Sequence, residues 1–139
     1  MRARVLWIED QRFLCAAESG HHVLVDGRQE GAPTPMEMVL MAAGSCSAVD
    51  VVSILAKARQ EVTRCEVELR AERADSAPRV FTKIHLHFVV TGPRVEEKPV
   101  ARAVQLSAEK YCSVARMLER SVEITHSFAV KTPSASPPG

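Results

Sequence analysis

Two stretches of the chain alternate between apolar and polar positions. Over Val62 to Arg73, the positions Thr63, Cys65, Val67, Leu69 and Ala71 interleave with Arg64, Glu66, Glu68, Arg70 and Glu72. Over Phe81 to Thr91, Ile84, Leu86, Phe88 and Val90 interleave with Lys83, His85 and His87. A period of two predicts strands of a sheet with one buried and one wet face, and Asp75 to Pro78 between them reads as a turn. Three shorter strands are predicted upstream: Arg2 to Glu9, Arg12 to Ala17 after a turn at Asp10-Gln11, and His22 to Asp26, which ends at the turn signal Asp26-Gly27.

The period becomes helical after the polar loop Gly27 to Thr34. Thr34 can cap, Pro35 suits the first helical position, and Glu37 stands three residues after Thr34, completing a capping box. The helix can run to about Arg59, a rod of roughly 37 Å at 1.5 Å per residue. Gly44 in its interior suggests close approach of another backbone, or a local break. A second helix is predicted over Val100 to Tyr111, its apolar line Val100, Val104, Ala108 continuing to Cys112 at four-residue spacing. A short helix Val114 to Leu118 and a last strand Val122 to Val130 follow, and the Pro- and Ser-rich tail 132–139 is expected to be disordered. The expected organisation is one α+β domain over residues 1–131, in the order β-β-β-α-β-β-α-β.

Composition narrows the partners. The 139 residues are 46% hydrophobic and 25% charged, with a net charge of +1, so neither nucleic acid nor a membrane surface has a basic face to meet. Met38 to Leu55 nears membrane-spanning length with Asp50 as its one charge, but reads more simply as the buried centre of a compact protein. Such a helix needs cover on most sides, and a homodimer packing two copies together would supply it. No secretory signal is legible, so a cytoplasmic protein with reduced cysteines is expected.

Chemistry concentrates in the cysteines. Cys46 and Cys112 lie in small, apolar, helix-like segments without metal-ligating neighbours, and each is either inert packing or a reactive thiol. Cys15 and Cys65 sit in strands and read as structural. No CxxC pair exists, so neither zinc nor a thioredoxin motif is supported. His85 and His87 share a strand face and form a candidate two-ligand metal pair, although the same pattern describes the polar face of an amphipathic strand.

Three segments resemble the OsmC/Ohr family (osmotically inducible protein C and organic hydroperoxide resistance), most of all its YhfA-type branch. They are Ala32-Pro33-Thr34-Pro35-Met36-Glu37 leading to Gly44-Ser45-Cys46, the strand Phe81 to Phe88, and Glu109-Lys110-Tyr111-Cys112-Ser113-Val114. The resemblance implies an OsmC-like intertwined homodimer, two long central helices wrapped by antiparallel-rich sheets, with active sites at the subunit interface. It implies a cysteine peroxidase for organic hydroperoxides, without metal, haem or other cofactor. Cys46 matches the peroxidatic cysteine and Cys112 the resolving one; an external dithiol would reduce their disulfide. In the hydroperoxide resistance enzymes, a Glu directly after the helix-starting Pro and an Arg from the early strands pair and activate the thiolate. Here Met36 follows Pro35 and the acid comes one step later as Glu37, about 100° further round the helix, where a capping role competes. Arg12 is the nearest positional match for the arginine. Asp50, one turn after Cys46, would oppose thiolate formation unless it holds an arginine, and pairing with a strand Arg, of this chain or of the partner chain, is expected. The competing expectation is a non-catalytic dimer that binds a small apolar ligand, its cysteines lining the cleft.

Overall fold

A computed structural model of the protein describes residues 1–134. The element order is β1 (Ala3–Glu9), β2 (Arg12–Ala17), β3 (His22–Asp26), α1 (Pro35–Lys57), β4 (Arg64–Arg73), β5 (Phe81–Thr91), α2 (Glu97–Leu106), a π-turn (Ser107–Tyr111), α3 (Ser113–Leu118) and β6 (Glu123–Lys131). The chain forms two compact units, Met1–Met41 and Ala42–Gly139. Residues 132–134 carry no regular structure, and the rest of the tail expected to be disordered lies outside the described residues.

The first unit is an antiparallel meander, β1-β2-β3, in which Val5 pairs with Cys15 and Cys15 with Val23. Val5, Leu6, Trp7 and Ile8 on β1 are 51% to 66% exposed, although consecutive residues point to opposite faces. At the start of α1 the capping box forms as its spacing predicts. The Glu37 amide donates to Thr34 Oγ1 at 3.1 Å, and the Thr34 amide donates to Glu37 Oε1 at 3.0 Å.

The second unit carries the sheet β4-β5-β6. On β5 the alternation holds: Ile84, Leu86, Phe88 and Val90 are sealed from solvent, while Lys83, His85 and His87 lie on the other face. β4 runs antiparallel to β5, but β6 is parallel to it, with Ile84 opposite Ile124 and Phe88 opposite Phe128. A parallel neighbour needs a crossover, and α2, the π-turn and α3 supply it, α2 packing over β6.

Two expectations need correction. α1 does not break at Gly44, and what approaches there is the Leu69 side chain of β4 rather than a backbone; an added Cβ would press on Leu69 Cδ1. The second helix does not continue to Tyr111 as an α-helix. After Leu106 the chain widens into the π-turn, and the Cys112 amide donates to the Ser107 carbonyl five residues back at 2.8 Å. That extra residue aligns Ser107 with Cys112, both fully buried, and leaves Ala108 only half-buried.

α1 is long and apolar enough to cross a membrane by length and composition, a property shared by core helices. Within this chain only one stripe of it, Ala43, Gly44, Ser47, Val51 and Leu55, is covered, rather than most of its circumference. Val49 and Val52 remain 68% and 44% exposed.

At the end of β5, Gly92 touches the loop before β4 so closely that an added Cβ would overlap the Glu61 carbonyl oxygen and the Val95 side chain. Gly92→Ala is expected to destabilise the fold by about 1–3 kcal/mol in chemical denaturation, because backbone cannot yield as a side-chain tip can.

Candidate functional site

The second unit brings Cys46 and Cys112 together. Cys46 lies on α1 beside the covered stripe and is half-buried, whereas Cys112 is fully buried. The two thiols are neighbours, close enough for Cys46 to oppose the ionisation of Cys112. Both are free thiols, as are Cys15 and Cys65, which are half-buried in their strands.

Hydrogen bonds between α1 and the π-turn hold this arrangement. Ser107, fully buried, donates from Oγ to Asp50 Oδ2 at 3.0 Å, with the Ser47 carbonyl at 3.4 Å as a weaker acceptor. The Ser107 carbonyl in turn takes the Cys112 amide. Asp50 therefore anchors the turn that carries the second cysteine. Among the described residues of this single chain no ion pair involves Asp50, so an arginine partner would have to come from the other subunit.

Cys112 adopts an extended backbone, φ −73° and ψ 101°, and its Sγ accepts the Ala115 amide at 3.4 Å, capping α3. Burial pushes this thiol up from its ordinary pKa. The nearby Ser47 hydroxyl and the Ala115 amide work against that rise, and Cys46 adds to it. Ser47 approaches the sulfur without completing a well-formed hydrogen bond, since its Oγ has no partner among the described residues. Burial likewise raises Cys65.

In the first unit, Arg12 is held by carboxylates. Its Nε donates to Asp26 Oδ2 at 3.3 Å and its Nη1 to Glu9 Oε1 at 3.0 Å. Asp26 is 1% exposed and also accepts the amides of Arg28 at 2.9 Å and Gly31 at 3.0 Å. Those two amides first, and then Arg12, hold its carboxyl below the ordinary range despite burial. In the sequence Asp26 shows only as a turn residue before Gly27. Its partner-binding role had one legible signal, an acid at the end of a strand antiparallel to the one starting at Arg12. Glu37 is engaged as the capping acid, its pKa lowered chiefly by the Thr34 amide.

His85 and His87 are occupied by hydroxyls. His85 bonds Thr125 Oγ1 at 2.6 Å through Nδ1 and Ser127 Oγ at 2.8 Å through Nε2, and His87 Nδ1 bonds the same Ser127 at 2.7 Å. Among the described residues no three metal-ligating side chains converge. A cleft of about 670 Å3 lies between Ile54 of α1, with Ala58 just beyond its end, and Pro99, Ala101 and Arg102 of α2. It is rimmed by Glu96, Lys98 and Gln105, and neither Cys46 nor Cys112 lines it.

The chain belongs to the OsmC-like protein family, whose profile matches residues 27–127. It is 62% identical over 131 residues to protein YhfA of Escherichia coli strain K12, spanning 94% of this chain and 98% of that protein. The solved structure of a hypothetical protein from Aquifex aeolicus VF5 superimposes with a TM-score of 0.87 at 35% identity, covering 96% of this chain and 97% of that one. An organic hydroperoxide resistance protein from Legionella pneumophila shares the fold, with a TM-score of 0.68, 12% identity, and coverage of 93% and 96%. This chain therefore has the mixed α+β fold of those structures.

Asp26 yields a pH prediction. A carboxyl with a depressed folded pKa contributes stability that is present above its unfolded value near 3.9 and lost as pH falls through the folded one. Thermal melts should show Asp26→Asn melting lower than wild type at neutral pH. The gap should narrow as the pH drops below about 4; an unchanged gap there would assign the effect to something other than the carboxylate charge.

Proposed function

We propose that the chain is a thiol-dependent hydroperoxide reductase of the cytoplasm, with Cys46 as the attacking sulfur and Cys112 as the resolving one. The observation that carries this reading is the pairing of a half-buried thiol with a fully buried one held beside it. The Cys46 thiolate attacks the distal oxygen of an organic hydroperoxide. The O–O bond breaks, the leaving alkoxide takes a proton to become an alcohol, and the sulfur, oxidised by two electrons, becomes a sulfenic acid. Cys112 then attacks that sulfur, forming the S–S bond and expelling the oxygen as water, and an external dithiol returns two electrons. No cofactor takes part.

By position Arg12 stands for the activating arginine of the hydroperoxide resistance enzymes, and its acid partner here is Asp26, since Glu37 is committed to its cap. Asp50 acts through Ser107 to hold the resolving cysteine. The working form is a homodimer: Trp7 in the first unit, and Val49 and Val52 in the second, are large apolar groups open to solvent in the single chain. A site for a small apolar ligand finds less support, because charged side chains rim the cleft beside α1.

Cys46→Ser is expected to reduce organic hydroperoxide consumption to the level of free thiol. Cys112→Ser should complete one turnover and stop, its Cys46 sulfenic acid trapped by a cyclic diketone. Turnover by Cys46→Ser at the wild-type rate would remove Cys46 from the reaction and favour the ligand-binding alternative. Sedimentation should give twice the 15.3 kDa chain mass; a single-chain mass would overturn the dimer.

A further inference from the structure

Ser47 follows Cys46 on α1 and is completely buried, yet its hydroxyl oxygen has no hydrogen-bond partner among the described residues. Its neighbours do not share this state. Ser45 Oγ donates back to the Ala42 carbonyl at 3.3 Å, and Ser107 Oγ donates to Asp50. A helical serine satisfies itself cheaply on the preceding turn, so a sealed one that does not is unusual. The Ser47 backbone is tied to the second cysteine by a short relay. Its carbonyl accepts from Ser107 Oγ at 3.4 Å, and the Ser107 carbonyl accepts the Cys112 amide at 2.8 Å. The unpartnered hydroxyl lies beside the Cys112 sulfur, which already accepts the Ala115 amide.

We infer that Ser47 is a thiolate-stabilising residue for the resolving step: its hydroxyl donates to the Cys112 sulfur once that sulfur is ionised. The inference rests on the proposed function and deepens it. A neutral thiol is a weak acceptor and leaves the hydroxyl unsatisfied, while a thiolate gives it and the Ala115 amide a charged acceptor. In the resting protein burial and the adjacent Cys46 both oppose ionisation of Cys112. Oxidation of Cys46 to a neutral sulfenic acid removes any thiolate charge there, so Cys112 ionises most readily after its partner has reacted. The Cys112 sulfur then supplies the electron pair for the S–S bond. The S–O bond of the sulfenic acid breaks, its electron pair leaves on oxygen, and that oxygen departs as water with the proton Cys112 gave up. Ser47 thereby favours the second step, while the state of Cys46 sets the order.

Two measurements on Ser47→Ala test this. In a Cys46→Ser background, the alkylation of Cys112 is followed against pH by peptide mass spectrometry. Adding Ser47→Ala should raise the midpoint by about one pH unit, the tenfold loss expected for a hydrogen bond to a charged group. In the otherwise wild-type chain, Ser47→Ala should slow formation of the Cys46–Cys112 disulfide roughly tenfold at neutral pH. Cys46 sulfenic acid should accumulate, and the rate should recover at alkaline pH. Its melting temperature should be no lower than wild type, because the hydroxyl removed makes no bond in the reduced protein. An unmoved alkylation midpoint, or disulfide formation at the wild-type rate, overturns the inference; so does a lowered melting temperature with an unmoved midpoint. Wild-type protein that consumes no hydroperoxide overturns the proposed function and with it the resolving role, while the alkylation arm still decides the hydrogen bond.

Discussion

The hydrogen bond from Ser107 to Asp50 is the constraint on which the rest of the site depends. It joins a π-turn to the central helix, from a fully buried serine to a half-buried carboxylate, and the charged acceptor strengthens it over a neutral pair. Everything around Cys112 follows from that join. The Ser107 carbonyl fixes the Cys112 amide, the backbone leaves the turn extended, and the sulfur comes to rest against the Ala115 amide near Ser47 and Cys46. A straight α-helix through this region would have stacked Cys112 over Ala108 instead of Ser107. One additional residue per turn changes which sulfur neighbours which side chain, and π-turns of this kind recur at functional sites.

The two thiols are not equivalent, and the difference assigns their order in the proposed reaction. Half-buried Cys46 can be reached by a small oxidant, while sealed Cys112 is held up as a neutral thiol mainly by desolvation. A group that must wait for its partner to react is well served by such an environment, provided donors are ready when it ionises. Regular elements carry both: α1 holds one sulfur and the α2–π-turn–α3 crossover holds the other. The parallel pairing of β5 with β6 makes that crossover necessary.

Much of the fold was legible because local rules and tertiary packing agree. The strict alternation on β5 placed Ile84, Leu86, Phe88 and Val90 inside, and the Thr34–Glu37 spacing marked the first helix. Cys46 and Cys112 stood out as thiols in small, apolar, helix-like segments, but the residues left packing and reactivity equally open, and only the family resemblance gave them roles. The π-turn was not legible. Val100, Val104, Ala108 and Cys112 form an unbroken four-residue line, and nothing local says where an extra residue enters the turn. The hydrogen bond to Asp50 was not legible either, because charge is visible in a sequence and a buried serine fifty-seven residues away is not. Ser47 itself left one trace: it falls on the same stripe as Ala43, Val51 and Leu55, a polar residue in an apolar row. Asp26 was hidden by Gly27, which made it look like turn punctuation rather than the acid that holds Arg12.

The most direct test of the shared thiol site is peptide mapping of the reduced protein after one equivalent of an organic hydroperoxide, without reductant. A site in which Cys112 can reach the oxidised Cys46 predicts a single cross-linked pair containing those two residues, with Cys15 and Cys65 still free. Cys46 carried on to sulfinic or sulfonic acid, with Cys112 recovered as a free thiol, would contradict it.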